Sequence, residues 1–351
     1  MNVTTEERLL QIAAPAAGDA ARPTSRTKRS RVLRTLIRAA GGTVALIAAV
    51  AAFGATYEKI AASSDLSTYP AAGRLVDVGG YRMHLDCRGE GSPTVVMDAG
   101  LGGSSLDWSL VQAGIASTTR VCTYDRAGMG RSDPGPLPRT PGHIADELHM
   151  LLTNAGVPGP YVLVAHSLAG KNVRMFASAH PDDVAGMVLV DARSERVDAQ
   201  TPKAEADAFR VALGLQGALY SVARRFGVAR AFGASLAGVP LLSPTIATEM
   251  ALLMTQADAI DETTKEGLAR SADDAALASA SLGSMPLVVI AAAASMVEIP
   301  NWSAAQQELA ILSTRGRLVV AEHSGHAVQL EEPGIVIDGI VQVLTEVRGD
   351  H

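Results

Sequence analysis

The sequence predicts an α/β fold: a mostly parallel sheet of eight strands, helices on both faces and a helical insertion, behind an N-terminal transmembrane helix. Three observations lead there. From residue 74 onward, short β-branched and apolar runs alternate with segments of helical periodicity, the rhythm of strands joined by crossover helices. Residues 194–284 interrupt that rhythm with Ala- and Leu-rich sequence that reads as helix throughout. Between a strand-like run at 161–164 and a helical one from 169 lies Ala165-His166-Ser167-Leu168-Ala169-Gly170, a serine in a turn with small neighbours. With 351 residues, 48% hydrophobic and 19% charged, the chain can bury one large core.

Residues 74–78 and 81–87 flank Gly79-Gly80, a two-residue hairpin signal. Strand 94–98 ends in Ala99-Gly100-Leu101-Gly102-Gly103, and strand 120–124 runs into the segment from Asp125 to Asp133. A helix opens at Thr140-Pro141, a capping residue followed by proline at the first helical position. It buries Ile144, Leu148, Leu151 and Leu152 and stops at Gly156. Strand 184–190 ends at Asp191. The insertion follows, with helices at 204–213, 219–226, 245–256 and 264–282. Strand 287–292, a helix near 303–313 and strand 317–322 come next, then a closing helix with the stripe Val336, Ile337, Ile340, Val341 and Leu344. This divides the chain into a core of residues 74–193 and 285–351 and a helical cap of residues 194–284.

The formal net charge of −6 argues against nucleic acid as a partner, but it is unevenly spread. Residues 1–38 carry eight Lys and Arg against Glu6, Glu7 and Asp19, a local +5 that leaves −11 on the rest. This basic segment is expected to be disordered, above all over residues 1–25. Nineteen residues without a charge follow at 39–57, enough to span a bilayer core of about 30 Å at about 1.5 Å per residue. A linker at 58–73 joins them to the first strand. With the basic cluster on the near side, the positive-inside rule puts the N-terminus in the cytoplasm and the remainder outside, on the inner membrane of the cell. A cleaved signal peptide and a buried helix of a soluble protein are the competing readings.

Ser167 is the candidate nucleophile: a hydroxyl at a sharp strand-to-helix turn, in need of a base within hydrogen-bond reach. His326, in Ser324-Gly325-His326 after the last strand, is the candidate base. Taken singly, each also has a plain reading, as an ordinary turn serine and a satisfied loop histidine. The backbone N–H groups of Leu168 and Leu101 are the candidate oxyanion hole, with glycines 100, 102 and 103 allowing close approach. His166 reads as packing and His323 as facing away. His84, His143, His149 and His180 have no chemical company in sequence, and no pair has metal-site spacing, so neither metal nor cofactor is expected.

Residues 74–346 resemble the α/β-hydrolase superfamily, in the branch with a helical cap after the sixth strand. The resemblance rests on the Ala165–Gly170 turn, on the Tyr-Asp-x-x-Gly-x-Gly-x-Ser-Asp pattern of residues 124–133, and on the Gly-His-x-x-x-x-Glu-x-Pro pattern of residues 325–333. It implies that residues 125–133 are mainly structural, shaping a loop at the pocket rim. It also makes the strands at 81–87 and 120–124 antiparallel neighbours, so that Cys87 and Cys122 either form a cross-strand disulfide, as an exported domain permits, or remain two buried thiols.

Two departures stand out. The usual His-Gly of the oxyanion loop is Ala99-Gly100, preceded by the acidic Asp98, and the acid usual after the seventh strand is missing, with Ala293-Ala294-Ser295 in its place. Three assignments stay open: Asp191 at the end of the sixth strand, where haloalkane dehalogenases among the relatives carry the acid; Glu298 as the alternative acid; or neither. The family then implies a serine hydrolase of carboxylic esters that works through an acyl-enzyme on a small-molecule ester. Apolar cap residues such as Leu213, Leu215, Leu219, Leu241, Leu242, Leu252 and Met254 suggest an apolar acyl or alcohol group. The alternative is a catalytically weak member of the fold that binds an apolar ligand at the cell surface.

Overall fold

The computed structural model describes residues 25–228 and 242–350. Within it β1 (Arg74–Asp77), β2 (Arg82–Arg88), β3 (Thr94–Asp98), β4 (Val121–Tyr124), β5 (Tyr161–His166), β6 (Val184–Val190), β7 (Leu287–Ala292) and β8 (Gly316–Ala321) form one sheet. Its order is β1-β2-β4-β3-β5-β6-β7-β8. The β1–β2 hairpin and the β2–β4 pair are antiparallel, and every pairing from β4 to β8 is parallel. β3, β5, β6 and β7 are buried almost throughout, which is why they read as continuous apolar runs and not as alternating ones.

Two cores sandwich the sheet. On one face lie Leu148, Leu151 and Leu152 of the helix Pro141–Ala155 and Val173 and Phe176 of the helix Ala169–Ala179. On the other lie Val111 and Ile115 of Ser109–Ile115 and Val336, Ile340, Val343 and Leu344 of the closing helix Pro333–Gly349. The closing stripe is turned slightly from the sequence expectation: Val341 is 38% exposed, while Val343 and Val347 are buried. Thr140 caps the first of these helices by accepting from the His143 N–H (3.2 Å), and Gly156 ends it in a left-handed conformation.

The N-terminal helix is longer than expected. It runs Ser25–Thr68, taking in part of the basic segment and most of the linker expected at 58–73. The reason is local: no proline interrupts the chain after residue 25 until Pro70, and residues 61–68 carry no helix breaker. Residues 31–64 are long and apolar enough to cross a membrane, and an 18-residue stretch within them has a mean hydropathy of 1.9. The disorder expected over residues 1–25 falls, except for Ser25, outside the described residues, as does the cap residue Leu241. Residues up to Ala52 and residues from Phe53 form separate units. Within the second, Glu58 pairs with Arg224 of the cap at 2.9 Å.

The described part of the cap is helical: Glu195–Gln200, Lys203–Arg225, Pro244–Met254, Ala257–Ala269 and Asp274–Ala278. Lys203–Arg225 is one helix where two, at 204–213 and 219–226, were expected. Gly217 does not break it, because it is a packing site: a Cβ there would meet Thr264 Oγ1 at 2.0 Å. The helix expected over 264–282 ends at Ala269 and resumes at Asp274. Charge fastens the cap to the core. Arg126 reaches Glu266 (2.9 Å), Lys171 reaches Asp198 (2.6 Å) and Asp274 (2.5 Å), and Arg174 reaches Glu195 (2.7 Å). All three cations are buried.

Asp125 organises the loop that follows β4. Its carboxylate accepts from the Ser105 N–H (2.6 Å) and the Arg131 N–H (3.0 Å) and lies 3.0 Å from His84 Nδ1. Gly130, at φ +51°, is pressed so close that a Cβ would meet this carboxylate at 2.4 Å. Burial alone would lower the His84 pKa, but the Asp125 charge and the Ala72 carbonyl raise it above the ordinary 6.5. For Asp125 the burial penalty is outweighed by His84 and the two N–H donors, leaving its pKa below 3.8. Cys87 and Cys122 are directly opposed in the antiparallel β2–β4 register, Cα atoms 4.0 Å apart, and are joined as a disulfide.

Two outcomes follow for stability. The disulfide closes a loop with a sequence separation of 35, for which chain entropy predicts about 3–4 kcal/mol. Urea unfolding with and without reductant is expected to differ by that amount, and equal midpoints would refute it. The His84 contribution is complete below about pH 6.5 and lost as pH rises through the elevated folded value, and the Asp125 contribution is lost as pH falls below about 3.8. Wild-type stability should therefore drop more between pH 6 and pH 9 than that of His84→Gln. Parallel curves would show that the pair is not the cause.

Candidate active site

Ser167 sits where β5 ends and the helix Ala169–Ala179 begins, with φ +53°. For a residue with a side chain this left-handed conformation costs about 1–3 kcal/mol and persists only where its surroundings impose it. Here the Ser167 N–H donates to the Val190 carbonyl (3.1 Å), and the Ser167 carbonyl accepts from the N–H groups of Gly170 (3.1 Å) and Arg193 (2.9 Å). Gly170 permits the tight crossing, since a Cβ there would lie 2.7 Å from Ala192 Cβ. Ala165 and Ala169 serve where glycine is more usual.

His326 lies on the loop between β8 and the short helix Val328–Glu331. Glu331 and Glu332 hold that loop by accepting from the N–H groups of Gly325 (2.5 Å) and His323 (2.7 Å). His326 Nε2 is 2.8 Å from Ser167 Oγ, and His326 Nδ1 is 2.6 Å from Asp191 Oδ2. Both ring nitrogens are thereby taken. Glu298, the alternative acid, is the exposed last residue of the helix Ala293–Glu298 and lies outside this set.

Asp191 is fully buried and, like Ser167, has a positive φ (+42°). Besides His326 it accepts from Ser295 Oγ (2.5 Å), Trp302 Nε1 (2.7 Å) and the Ala292 N–H (3.0 Å). Burial works to raise its pKa, and these donors more than offset that, holding it below the ordinary carboxylate value. Ser295 stands in the stretch where the sequence lacks the usual acid, and it now serves the acid of the neighbouring strand.

His166 does more than the packing read from the sequence. Its Nε2 donates to the His326 carbonyl (2.8 Å), and its ring lies 4.7 Å from the His326 ring. Burial, then the nearby His326, drive its pKa down to about 3, so it stays neutral beside the candidate base.

The loop after β3 closes the site. A Cβ on Gly100 would meet His166 Nδ1 at 2.7 Å and Ser167 Cβ at 3.2 Å, so only glycine fits there. The buried Arg126 guanidinium holds this loop, donating to Asp98 (2.6 Å) and to the carbonyls of Ala99 (2.5 Å) and Gly100 (2.8 Å). The unusual Asp98 is thus the partner of Arg126 and, at 3.0 Å, of Asn172. Leu101 and Leu168 line the same cavity as Ser167. Neither N–H donates to another group of the described residues. The cavity, of about 340 Å³, is walled by Val197, Phe209 and Ile299, and also by Arg193 and Arg270.

Four histidines without sequence partners prove to have neighbours. His84 pairs with Asp125, and His143 Nε2 lies 3.5 Å from Glu147. His149 stacks on His180 with ring centroids 3.8 Å apart. One ligating atom each of His149, His180 and Asp183 falls within 4.8 Å of the others, a grouping that linear spacing hides because separate elements bring it together. Arg126 and Ser295 stand in stretches quoted from the sequence but carried no individual role there, and Trp302 has no local motif to mark it.

Residues 93–333 match the family profile of the alpha/beta hydrolase fold. Over 115 residues the chain is 36% identical to the uncharacterized protein YqjL of Bacillus subtilis, covering 32% of this chain and 46% of that protein. The chain spans less than half the length of the curated relatives it matches at this level. Among solved structures, a thermophilic esterase from Thermogutta terrifontis superposes with a TM-score of 0.59 at 21% identity, over 79% of this chain and 99% of that one. The enol-lactonase from Burkholderia xenovorans does so with a TM-score of 0.57 at 18% identity, over 78% and 100%. At these identities the superpositions speak for the fold, and the family match covers well over half the chain. The chain belongs to the alpha/beta hydrolase fold family.

Proposed function

We propose that the protein is a serine hydrolase of carboxylic esters with an apolar acyl or alcohol group, working through an acyl-enzyme. The observation that carries this reading is the continuous hydrogen-bonded line from Ser167 Oγ through the His326 ring to Asp191. Ser167 Oγ attacks the ester carbonyl while His326 Nε2 takes its proton. The Leu101 and Leu168 N–H groups receive the developing oxyanion. His326 then protonates the departing alcohol, and water, deprotonated by the same histidine, releases the acid. Asp191 fixes the imidazole tautomer and stabilises the imidazolium. The alternative, a catalytically weak ligand-binding protein, drew its motive from the missing acid after the seventh strand and the altered oxyanion loop; Asp191 at hydrogen-bond distance from His326, and Asp98 paired with Arg126, favour the hydrolase reading.

The long apolar helix is, in this reading, a membrane anchor with the N-terminus in the cytoplasm and the hydrolase domain outside. The basic residues that precede the span support that orientation. The Cys87–Cys122 disulfide fits an oxidising compartment.

A fluorophosphonate applied to the full chain in detergent is expected to label Ser167, identified by mass mapping, and to fail on His326→Ala. Hydrolysis of 4-nitrophenyl butyrate should fall by roughly 10⁶-fold in Ser167→Ala and His326→Ala, and by about 10⁴-fold in Asp191→Asn. Glu298→Gln should retain wild-type turnover. Full activity in Asp191→Asn, or loss in Glu298→Gln, would overturn the assignment of the acid.

A further inference from the structure

The cap–core contact gathers three cations on one buried carboxylate beside the cavity that contains Ser167. Asp198 is almost fully buried and is shared by three cations. Arg193 approaches it through Nη2 (2.5 Å) and Nε (3.1 Å), Arg270 through Nε (3.2 Å) and Lys171 through Nζ (2.6 Å). Lys171 has a second carboxylate in Asp274, so three positive groups face two negative ones. Next to it Arg174 pairs one to one with Glu195, and elsewhere in this contact carboxylates are in excess, with Asp98, Glu147, Glu262 and Glu266 facing Arg126, Arg139 and Lys265. Glu205, exposed on the helix Lys203–Arg225, also lines the cavity, and Arg210 of the same helix lies near enough to Arg270 to oppose its charge.

Both arginines are held in place yet keep donors unspent. The Arg193 N–H is bonded to the Ser167 carbonyl, which fixes its backbone against the serine turn. The Arg270 guanidinium stacks on the Phe209 ring at 4.2 Å, and its carbonyl accepts from Lys171 Nζ (3.0 Å). Arg193 Nη1 and both Nη atoms of Arg270 have no acceptor among the described residues. The two side chains line the cavity that contains Ser167 and are only 22% and 14% exposed. Burial, then the charge of Arg193, push the Arg270 pKa down from its ordinary value, as expected for a cation lacking a full counter-charge. A carboxylate matches the planar fork of an arginine and gains from a poorly hydrated site.

We propose that Arg193 and Arg270 form an anion subsite and that the substrate is an ester carrying a free carboxylate, joined to the scissile ester by a short apolar chain. This rests on the ester hydrolase reading and narrows its substrate class. The apolar walls at Val197, Phe209 and Ile299 cover the connecting chain, while the arginines take the charged end. Hydrolysis adds one water, breaks the acyl C–O bond, and releases an acid and an alcohol, one of which retains the original carboxylate.

Half-esters and their diesters differ by one carboxylate and so isolate the subsite. Titration calorimetry on full-length Ser167→Ala in dodecyl maltoside would compare monomethyl with dimethyl succinate, adipate and suberate. At least one half-ester is expected to bind about tenfold more tightly than its diester, with the advantage shrinking in high salt. Adding Arg193→Gln or Arg270→Gln should bring the ratio close to one. If every half-ester in the series binds no better than its diester, the subsite is refuted, with no variant needed. Fluorophosphonate labelling of the wild type reports on Ser167 separately, so loss of the ester hydrolase reading and loss of the anion subsite give different results.

Discussion

A carboxylate with no access to water is the constraint on which the site depends. Asp191 accepts from His326, Ser295, Trp302 and the Ala292 N–H, donors that come from the loop after β8, from two helices and from the end of β7. A buried charge is tolerated only when such donors surround it. The ends of β6, β7 and β8 are therefore committed to one arrangement, and the positive φ of Asp191 is imposed by it. The neighbouring turn at Ser167 is tied into the same arrangement, because its N–H bonds to Val190, the residue before Asp191.

A second set of buried charges settles where the cap lies. Arg126 links the end of β3, two carbonyls of the loop after it and Glu266 of the cap. Lys171 and Arg174, one and two turns beyond Ser167, reach cap carboxylates on the other side. Desolvation offsets much of the Coulomb gain in such pairs, so their main consequence is orientation: a cap shifted by a few ångströms would leave buried charges unpaired. Cap position, loop geometry and serine turn are thus coupled through side chains that a substrate need not touch. The same coupling brings Arg193 and Arg270 to the cavity wall, which gives the pocket a polarity that the apolar residues of the cap sequence do not suggest.

Most of the fold was legible in the sequence. Strand positions came from apolar runs and the helix at 141–155 from its cap and stop, because these depend on neighbours within a few residues. Ser167 and His326 were legible for the same reason, each carrying a local motif. Misreadings arose where a residue answers to a distant partner: Gly217 packs against Thr264 and does not end a helix, and Val341 loses its expected burial to Val343 through the rotation of the closing helix. His84 and His149 lacked visible company because their partners lie on other elements.

The sequence by itself determined the strand–helix rhythm, the family resemblance, the long apolar helix, and a serine and a histidine with motifs around them. These follow from short-range sterics and periodicity, which a linear string records. It left Asp191 and Glu298 as competing acids and Arg193 and Arg270 unremarked. Only the tertiary structure decided that Asp191 meets His326, that Arg126 holds the loop after β3, and that two arginines share Asp198 beside Ser167. Apart from the local Arg193–Asp198 pair, each of these is a contact between segments far apart in the chain, set by the order of parallel strands and by the burial of charge, and none is written in any one stretch of sequence.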